Sequence, residues 1–225
     1  MTSDQSTVDS WAQKITMEIY DYWRAEFPEL RDGIKTFFTP VRRFPPLMIL
    51  SLNPGGSEVD YESSGDKERF ERRESFIPVS NEYVSSNYPM ARKIRRFFHN
   101  HIQMLSESVA IPVIFFRSKD YSYLRSQLSV PRINQLEGFC LDKTKEILDY
   151  LVPNRFLMIG FDTLTKLKDR FGDFSNEVDL PGRETRIGIS TTWRGTSVFA
   201  IRHLTGSRIS NADLEVAQRM FFGSQ

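Results

Sequence analysis

The sequence predicts an α/β protein, a three-layer α/β/α sandwich whose mostly parallel central sheet has four to five strands. Short apolar runs typical of buried strands occur at 47–52, 111–116, 156–160, 185–190 and 197–203. Between most of these runs, apolar residues recur at three- and four-residue steps, which is typical of amphipathic helices. Strands that alternate with helices favour a parallel sheet with helices on both faces.

The helices follow from the same periodicity, taken along the chain. The first predicted helix covers 8–25, and prolines at 40, 45 and 46 separate it from the first strand. We therefore expect residues 1–43 to form a helical extension packed on a main domain, 44–225. Ser210 and Asp213 have the spacing of an N-cap pair, which predicts the start of the last helix. The other predicted helices cover 66–74 (a solvated helix or lid), 88–106, 135–151 and 163–171.

The composition is that of an ordinary globular protein, with 40% hydrophobic and 26% charged residues in 225. The 30 basic and 29 acidic residues exclude a protein that coats DNA through a large positive charge, but not a local basic groove. Cys140 is the single cysteine, which excludes an internal disulfide and a four-cysteine metal site. We expect no metal and no cofactor. No apolar run is long enough to span a bilayer and no secretory signal is visible, so we expect a cytoplasmic protein without a membrane partner.

Two loops that follow predicted strands contain residue types suited to chemistry. Asn53 ends the first strand, and its amide can both donate to and accept from a water molecule. The glycines that follow, Gly55 and Gly56, let the backbone approach a ligand closely. His203 ends the last strand, before hydroxyl and guanidinium groups that precede a helix N-terminus, a combination suited to phosphate. Taken alone, each loop is equally well explained as an ordinary turn or a hydrogen-bonded loop histidine.

Together the two loops resemble the motifs of the uracil-DNA glycosylase superfamily, G-[IM]-N-P-G and [HN]-P-S-[GP] in several of its branches. The matching stretches are Ser51-Leu52-Asn53-Pro54-Gly55 and His203-Leu204-Thr205-Gly206, and the resemblance extends over about residues 44–222. Ser51, Leu204 and Thr205 depart from the usual residues. The strand that commonly supplies a base-reading Asn has none here, at 111–116. We therefore expect base recognition to differ from ordinary uracil recognition, and the single cysteine excludes the iron–sulfur branches.

The resemblance implies a monofunctional glycosylase that binds DNA and hydrolyses the N-glycosidic bond of a flipped-out base, leaving an abasic site. His203 is expected to stabilise the departing base and Asn53 to orient the attacking water. Because neither motif contains a lysine, we expect no Schiff base. Further residues expected at the substrate are Ser51, Gly55, Gly56 and Thr205. Ser207, Arg208 and Ile209 are expected to fill the gap that the flipped-out base leaves, and Tyr61, or else Phe76 or Tyr83, to stack on that base. Arg117, Lys119 and the basic run 92–96 are expected to contact phosphates of the DNA.

Several alternatives stay open at this point. The substrate is uracil or another damaged base in DNA repair, or a hypermodified cytosine in defence against phage. The same fold also suits a catalytically silent nucleic-acid-binding module, or an unrelated α/β enzyme whose loops match by coincidence. His99-Asn100-His101 has the letters of a nuclease motif but no second ligand cluster, so we interpret both histidines as surface or packing residues.

Overall fold

Six β-strands form one sheet in the computed structural model, which describes residues 3–74, 76–183, 185–205 and 209–223. The α/β class is confirmed, with one strand more than the four to five expected. The strands are β1 (Met48–Ser51), β2 (Val109–Pro112), β3 (Arg155–Ile159), β4 (Phe174–Pro181), β5 (Arg186–Trp193) and β6 (Thr196–Ile201).

The strand order is β2-β1-β3-β6-β5-β4, and the first four strands in this order are parallel. β5 and β4 pair in antiparallel fashion at one edge, so the predicted mostly parallel sheet is confirmed, with an antiparallel edge that was not predicted. The sequence did not predict β4, because its residues alternate poorly and only Leu180 is buried. Its pairing with β5, and not an apolar run, makes it a strand.

The helices cover most of the predicted segments. They are α1 (Ser3–Glu26), α2 (Glu58–Ser63), α3 (Asp66–Glu71), α4 (Glu82–Ser85), α5 (Pro89–Phe97), α6 (Ile102–Ser106), α7 (Tyr121–Ser126), α8 (Val130–Leu151), α9 (Phe161–Phe171) and α10 (Asn211–Phe222). The single helix predicted over 88–106 is divided into α5, a short 3₁₀ helix at 99–101 and α6. Phe97 and Phe98 are both buried, and a break after Phe97 lets two consecutive rings point inward. As predicted, the Ser210 hydroxyl caps α10 by accepting from the Asp213 N–H at 3.1 Å.

Side chains that alternate along the parallel strands supply two separate core clusters. Met48 and Leu50 belong to the first cluster, which also contains buried residues of α1, α8 and α9. Ile49 of the same strand belongs to the second cluster, with buried residues of α5, α6 and α10. Since successive strand residues face opposite sides of a sheet, the two clusters lie on its two faces.

The N-terminal segment packs directly against this sheet. Ile15 and Ile19 of α1 are buried in the first cluster. The chain after α1 then runs beside β2, where the Lys35 and Phe38 N–H groups donate to the carbonyls of Phe115 and Ala110, both at 2.9 Å. The division into a helical extension, 1–43, and a main domain, 44–225, stays a prediction.

Candidate functional site

Asn53 and His203 leave the sheet at the same edge. β1, β3 and β6 are parallel neighbours, and their last residues, Ser51, Ile159 and Ile201, lie side by side in the ladder. Asn53 and His203 each follow two residues later. β1 and β6 are separated only by β3, a distance of about 10 Å at the usual spacing between strands. We call the end of the sheet where these strands stop the carboxyl edge.

The Asn53 amide is held in one orientation by a chain of hydrogen bonds. Its Nδ2 donates to the Ser118 hydroxyl at 3.0 Å and to the Pro54 carbonyl at 3.2 Å. The Ser118 hydroxyl donates its single proton to the Asp120 carbonyl at 2.8 Å. It must therefore act as the acceptor in its hydrogen bond with Asn53. The amide therefore turns its Nδ2 toward Ser118 and its Oδ1 away, and no donor from the described residues reaches that oxygen. An oxygen held in this way can accept a proton from a water molecule.

Ser118 is a candidate positioning residue that the sequence did not indicate. Its side chain is fully buried, and its backbone N–H donates to the Pro54 carbonyl at 3.2 Å. The chain after β2 thus runs beside the chain after β1, because Val113 and Ile114 also donate to Ser51 and Leu52. The only signal in the sequence is a small polar residue shortly after an apolar run, and this is too common to identify it.

His203 lies on the other side of β3, against a glycine. Its Nδ1 and the Thr205 hydroxyl are 3.2 Å apart and share a hydrogen bond, with a direction that depends on the tautomer. Gly160, at the end of β3, has φ of +90°, and a Cβ there would lie 3.6 Å from the His203 ring. Although part of His203 is exposed, the protein around the ring lowers the pKa of the imidazole, and the nearby Asp162 carboxylate opposes this only in part. A lowered pKa favours the neutral form of the ring.

Ser51, at the end of β1, and the two glycines of the Asn53 loop, residues 52–57, have different surroundings. Ser51 is buried, and its side chain lies beside that of Tyr83. No atom outside its neighbours lies near the position a Cβ of Gly55 would take, whereas a Cβ at Gly56 would lie 3.3 Å from the Arg117 guanidinium. Gly56 has φ of +127°, which favours glycine and lets the loop pass close to Arg117.

Arg117 was predicted to contact phosphate, but the structure places it in a buried ion pair. Its guanidinium contacts the Asp66 carboxylate at 2.8 Å, and the two side chains are only 11% and 16% exposed. It also donates to the Ile34 carbonyl at 3.3 Å. Arg117 therefore ties the start of α3 to the body of the protein, and its charge is already matched by an acid.

The predicted stacking aromatic, Tyr61, lies in the core. Its side chain is 4% exposed and belongs to the first cluster, where its ring meets Trp23 edge-on at 5.7 Å. Phe76 stacks on Phe70 next to the same cluster. Tyr83 instead lies in the second cluster, on the sheet face opposite Tyr61, and is buried beside Ser51. We therefore leave Tyr61 and Phe76 out of the candidate site.

The predicted wedge falls largely outside the described residues. Ser207 and Arg208 lie outside them, together with Gly206, whereas Ile209 is described and packs against the second cluster. In the basic run 92–96, the Arg95 guanidinium donates to backbone carbonyls of α4 and the segment after it, including that of Tyr83 at 2.8 Å. Arg92 also donates to a carbonyl of that segment, that of Asn87. Lys93, Arg96 and Lys119 are exposed, and no ion pair with another described residue holds them.

The remaining histidines and possible metal ligands lie apart from this edge. His99 is exposed and bonds to Asn100 at 2.9 Å, while the His101 ring stacks on Phe222 at 3.8 Å. Cys140 is a buried free thiol. Within the described ranges, no group of three or more His, Cys, Asp or Glu side chains is arranged to hold a metal ion. No described helix has both the length and the apolar character needed to cross a membrane.

Neither the models of known protein families nor the curated proteins match this chain. The two motifs and the geometry of the carboxyl edge are therefore the features of this chain that bear on its function.

Proposed function

We propose that this protein is a monofunctional DNA glycosylase that releases a flipped-out uracil or modified base and leaves an abasic site. The observation that carries the proposal is the exit of Asn53 and His203 at the same end of the sheet, from two parallel strands that are separated only by β3. Ligands of open α/β sheets bind beyond the carboxyl ends of the strands, which is where both loops lie. The two core clusters support the three-layer α/β/α sandwich that belongs to this proposal.

Each of the two residues has a defined task in the reaction. As the bond between C1′ and the base nitrogen breaks, positive charge develops on the sugar and negative charge on the base. His203 donates a hydrogen bond to the base oxyanion, which a neutral imidazole can do through its N–H. Asn53 Oδ1 accepts a proton of the water whose oxygen forms the new bond to C1′. An amide is a weak base, so it contributes through position, and the proton of the water passes to solvent or to the released base.

The bonds around Asn53 support this division of tasks. If the amide could rotate, Nδ2 and Oδ1 would exchange places, and a donor would face the water that needs an acceptor. Ser118 prevents the exchange because its hydroxyl proton is already committed to the Asp120 carbonyl. Thr205 acts similarly on His203, since a hydrogen bond at Nδ1 fixes the plane of the ring.

Contacts with DNA are proposed at the exposed cations. Arg117 is paired with Asp66 and Arg95 with backbone carbonyls, so Lys119, Lys93 and Arg96 are the proposed phosphate contacts. Such contacts position DNA without selecting sequence. A cytoplasmic location is part of the proposal, because the one cysteine is a free thiol.

The test is an abasic-site assay with duplexes that carry uracil, hypoxanthine or glucosylated 5-hydroxymethylcytosine. We expect product from at least one duplex, and about a hundredfold slower excision by Asn53→Ala. His99→Ala, an exposed histidine outside the site, serves as the control and should excise at the wild-type rate. Product from the uracil duplex alone would exclude phage defence as the setting.

The second candidate function is a catalytically silent nucleic-acid-binding module. The departures at Ser51, Leu204 and Thr205 favour it, and Leu204 is buried in the second cluster, where it cannot contact a substrate. In this case the protein would bind DNA with an affinity that falls with salt, and no duplex would give an abasic product. That outcome would overturn the proposed glycosylase.

A further inference from the structure

A small cavity lies between α1, the segment that follows α1, and the two helices α2 and α3. Its volume is about 210 Å³, below the range of about 300–1,000 Å³ that is usual for drug-sized ligands. None of the side chains that line it belongs to the candidate site. Two of them, Lys67 and Glu62, form an ion pair at 2.6 Å and neutralise each other. The cavity therefore suits a small molecule, and its other lining residues determine which one.

Tyr61 presents a hydroxyl to this cavity without a hydrogen-bond partner among the described residues. Its side chain lines the cavity but is only 4% exposed. The ring packs against Gly33, where a Cβ would lie 2.4 Å away, and meets Trp23 edge-on, which leaves the hydroxyl end for the cavity. Burial raises the pKa of the Tyr61 hydroxyl well above its ordinary value, so the group keeps its proton and can donate it. A buried hydroxyl without a partner costs stability, and a ligand in the cavity would satisfy it.

The cavity also carries charges of both signs that no described residue pairs with. Arg24 and Arg31 line it from α1 and the segment after α1, and the guanidinium carbon of Arg24 lies 5.5 Å from the centre of the Trp23 ring. Glu58 and Glu71 line it from α2 and α3. All four of these charged side chains are exposed, and none of them forms an ion pair or a hydrogen bond with another described residue. Two positive and two negative groups are therefore left for a ligand.

This charge pattern favours a ligand with one charge of each sign. The glutamates would repel a simple anion and the arginines a simple cation, because like charges a few ångströms apart destabilise each other. A guanidinium binds a carboxylate through two parallel hydrogen bonds, and a carboxylate accepts charge-assisted hydrogen bonds from an ammonium group. A zwitterion meets both requirements, and the small volume limits it to one with a short side chain.

We propose that this cavity binds a free amino acid with a short side chain. The carboxylate of the amino acid is held by Arg24 and Arg31 and accepts a hydrogen bond from the Tyr61 hydroxyl. Its ammonium group is held by Glu58 and Glu71. This inference goes beyond the proposed glycosylase and does not depend on it, because the binding is measured without DNA.

The test is calorimetric titration of the full chain with glycine, alanine, serine and threonine. We expect at least one of the four to bind with a Kd below about 1 mM. The N-acetyl derivative of that amino acid lacks the ammonium group and its amide lacks the carboxylate, so each should bind at least about tenfold more weakly. Tryptophan, the largest amino acid, should also bind at least about tenfold more weakly. The inference is overturned if none of the four binds below about 1 mM, or if a derivative or tryptophan binds equally well.

Two variants locate the bound amino acid. Tyr61→Phe removes only the hydroxyl, so we expect affinity to fall about five- to tenfold, while the thermal midpoint without ligand stays unchanged or rises. Arg31→Gln should lower affinity about tenfold or more. The matched controls are Tyr123→Phe in α7, 47% exposed, and Arg219→Gln in α10, which packs on the sheet face opposite α1. Both controls should bind like the wild-type protein.

Wild-type affinity in either Tyr61→Phe or Arg31→Gln would place the amino acid elsewhere and overturn the inference. Binding by the wild-type protein together with no abasic product from any duplex would overturn the proposed glycosylase and leave this inference standing. Excision without amino-acid binding would do the reverse.

Discussion

The two loops of the candidate site are oriented by different means. The Asn53 amide is held by Ser118, which is 65 positions away in sequence, fully buried and bonded in turn to Asp120. His203 is held by Thr205, only two positions away, and lies against Gly160 on the neighbouring strand. Among the described residues, the Asn53 amide is therefore oriented by a residue distant in sequence, and the His203 ring is bonded to a near neighbour in its own loop.

Because the two side chains are oriented by different contacts, different substitutions should disturb each of them. The Asn53 amide is held by direct hydrogen bonds in a packed region. Its orientation should therefore change only when one of its hydrogen-bond partners is removed. The His203 ring has packing on one side and a neighbour of its own loop on the other, so changes in backbone shape should affect it most. Three substitutions and one pH series test this contrast between the two loops.

Replacing His203 by Ala should slow excision by about 100- to 1,000-fold, the usual effect of losing one oxyanion donor. Single-turnover kinetics on the preferred duplex measure the effect, with duplex affinity measured in parallel. Binding should be nearly unchanged, because the donor acts on charge that develops only in the transition state. If affinity falls as much as rate, His203 is a binding residue and the contrast between the loops disappears.

Replacing Gly160 by Ala should lower the free energy of unfolding by about 1–3 kcal/mol, because φ of +90° is strained for any residue with a Cβ. The added Cβ also lies 3.6 Å from the His203 ring, so excision should slow while the Asn53 loop is unaffected. Denaturant unfolding and single-turnover rates measure the two effects. Gly138→Ala is the matched control: it lies within α8 with nothing near its Cβ, and should stabilise by about 0.5–1 kcal/mol.

Replacing Ser118 by Ala should slow excision about tenfold, because Asn53 loses the acceptor that fixes its amide and one hydrogen bond contributes on the order of 1 kcal/mol. The informative measurement is a double-mutant cycle with Asn53→Ala. Once Asn53 is absent, Ser118→Ala should cost no further rate. Additive losses would mean that Ser118 supports the fold generally and does not act through Asn53.

The sequence predicted those features that depend on local patterns. The apolar runs identified β1, β3, β5 and β6, although β2 is displaced to Val109–Pro112 from the expected 111–116, and the N-cap at Ser210 was identified from spacing alone. β4 was missed because it is held by pairing and buries almost nothing. An exposed strand at a sheet edge leaves no hydrophobic pattern to detect.

The same distinction, between features that have a local sequence pattern and features that depend on tertiary contacts, applies to the candidate site. Asn53 and His203 are at strand ends, where a motif can be recognised, and the parallel topology brings them to one edge. Tyr61 and Arg117 were expected at the substrate because of their place in the chain, but Tyr61 faces the first cluster and Arg117 pairs with Asp66. Ser118 could not have been selected in advance, since its importance comes from hydrogen-bond partners that only the packed structure defines.

The smallest expected effect is a pH dependence of stability that belongs to His203 alone. The protein around the ring lowers the pKa of His203 below its ordinary value of 6.5. Above that value the imidazole is neutral in both the folded and the unfolded chain, so it contributes no pH dependence. As the pH falls below 6.5, the unfolded chain takes up the proton first, and the free energy of unfolding decreases until the pH reaches the pKa of His203 in the folded protein.

His203→Gln should lose less stability than the wild-type protein between these two pH values, as measured by denaturant unfolding at several pH values. Equal slopes for the two proteins would mean that the ring is as well solvated as in the open chain, and the His203 loop would then lack the water-poor surroundings that an oxyanion donor needs.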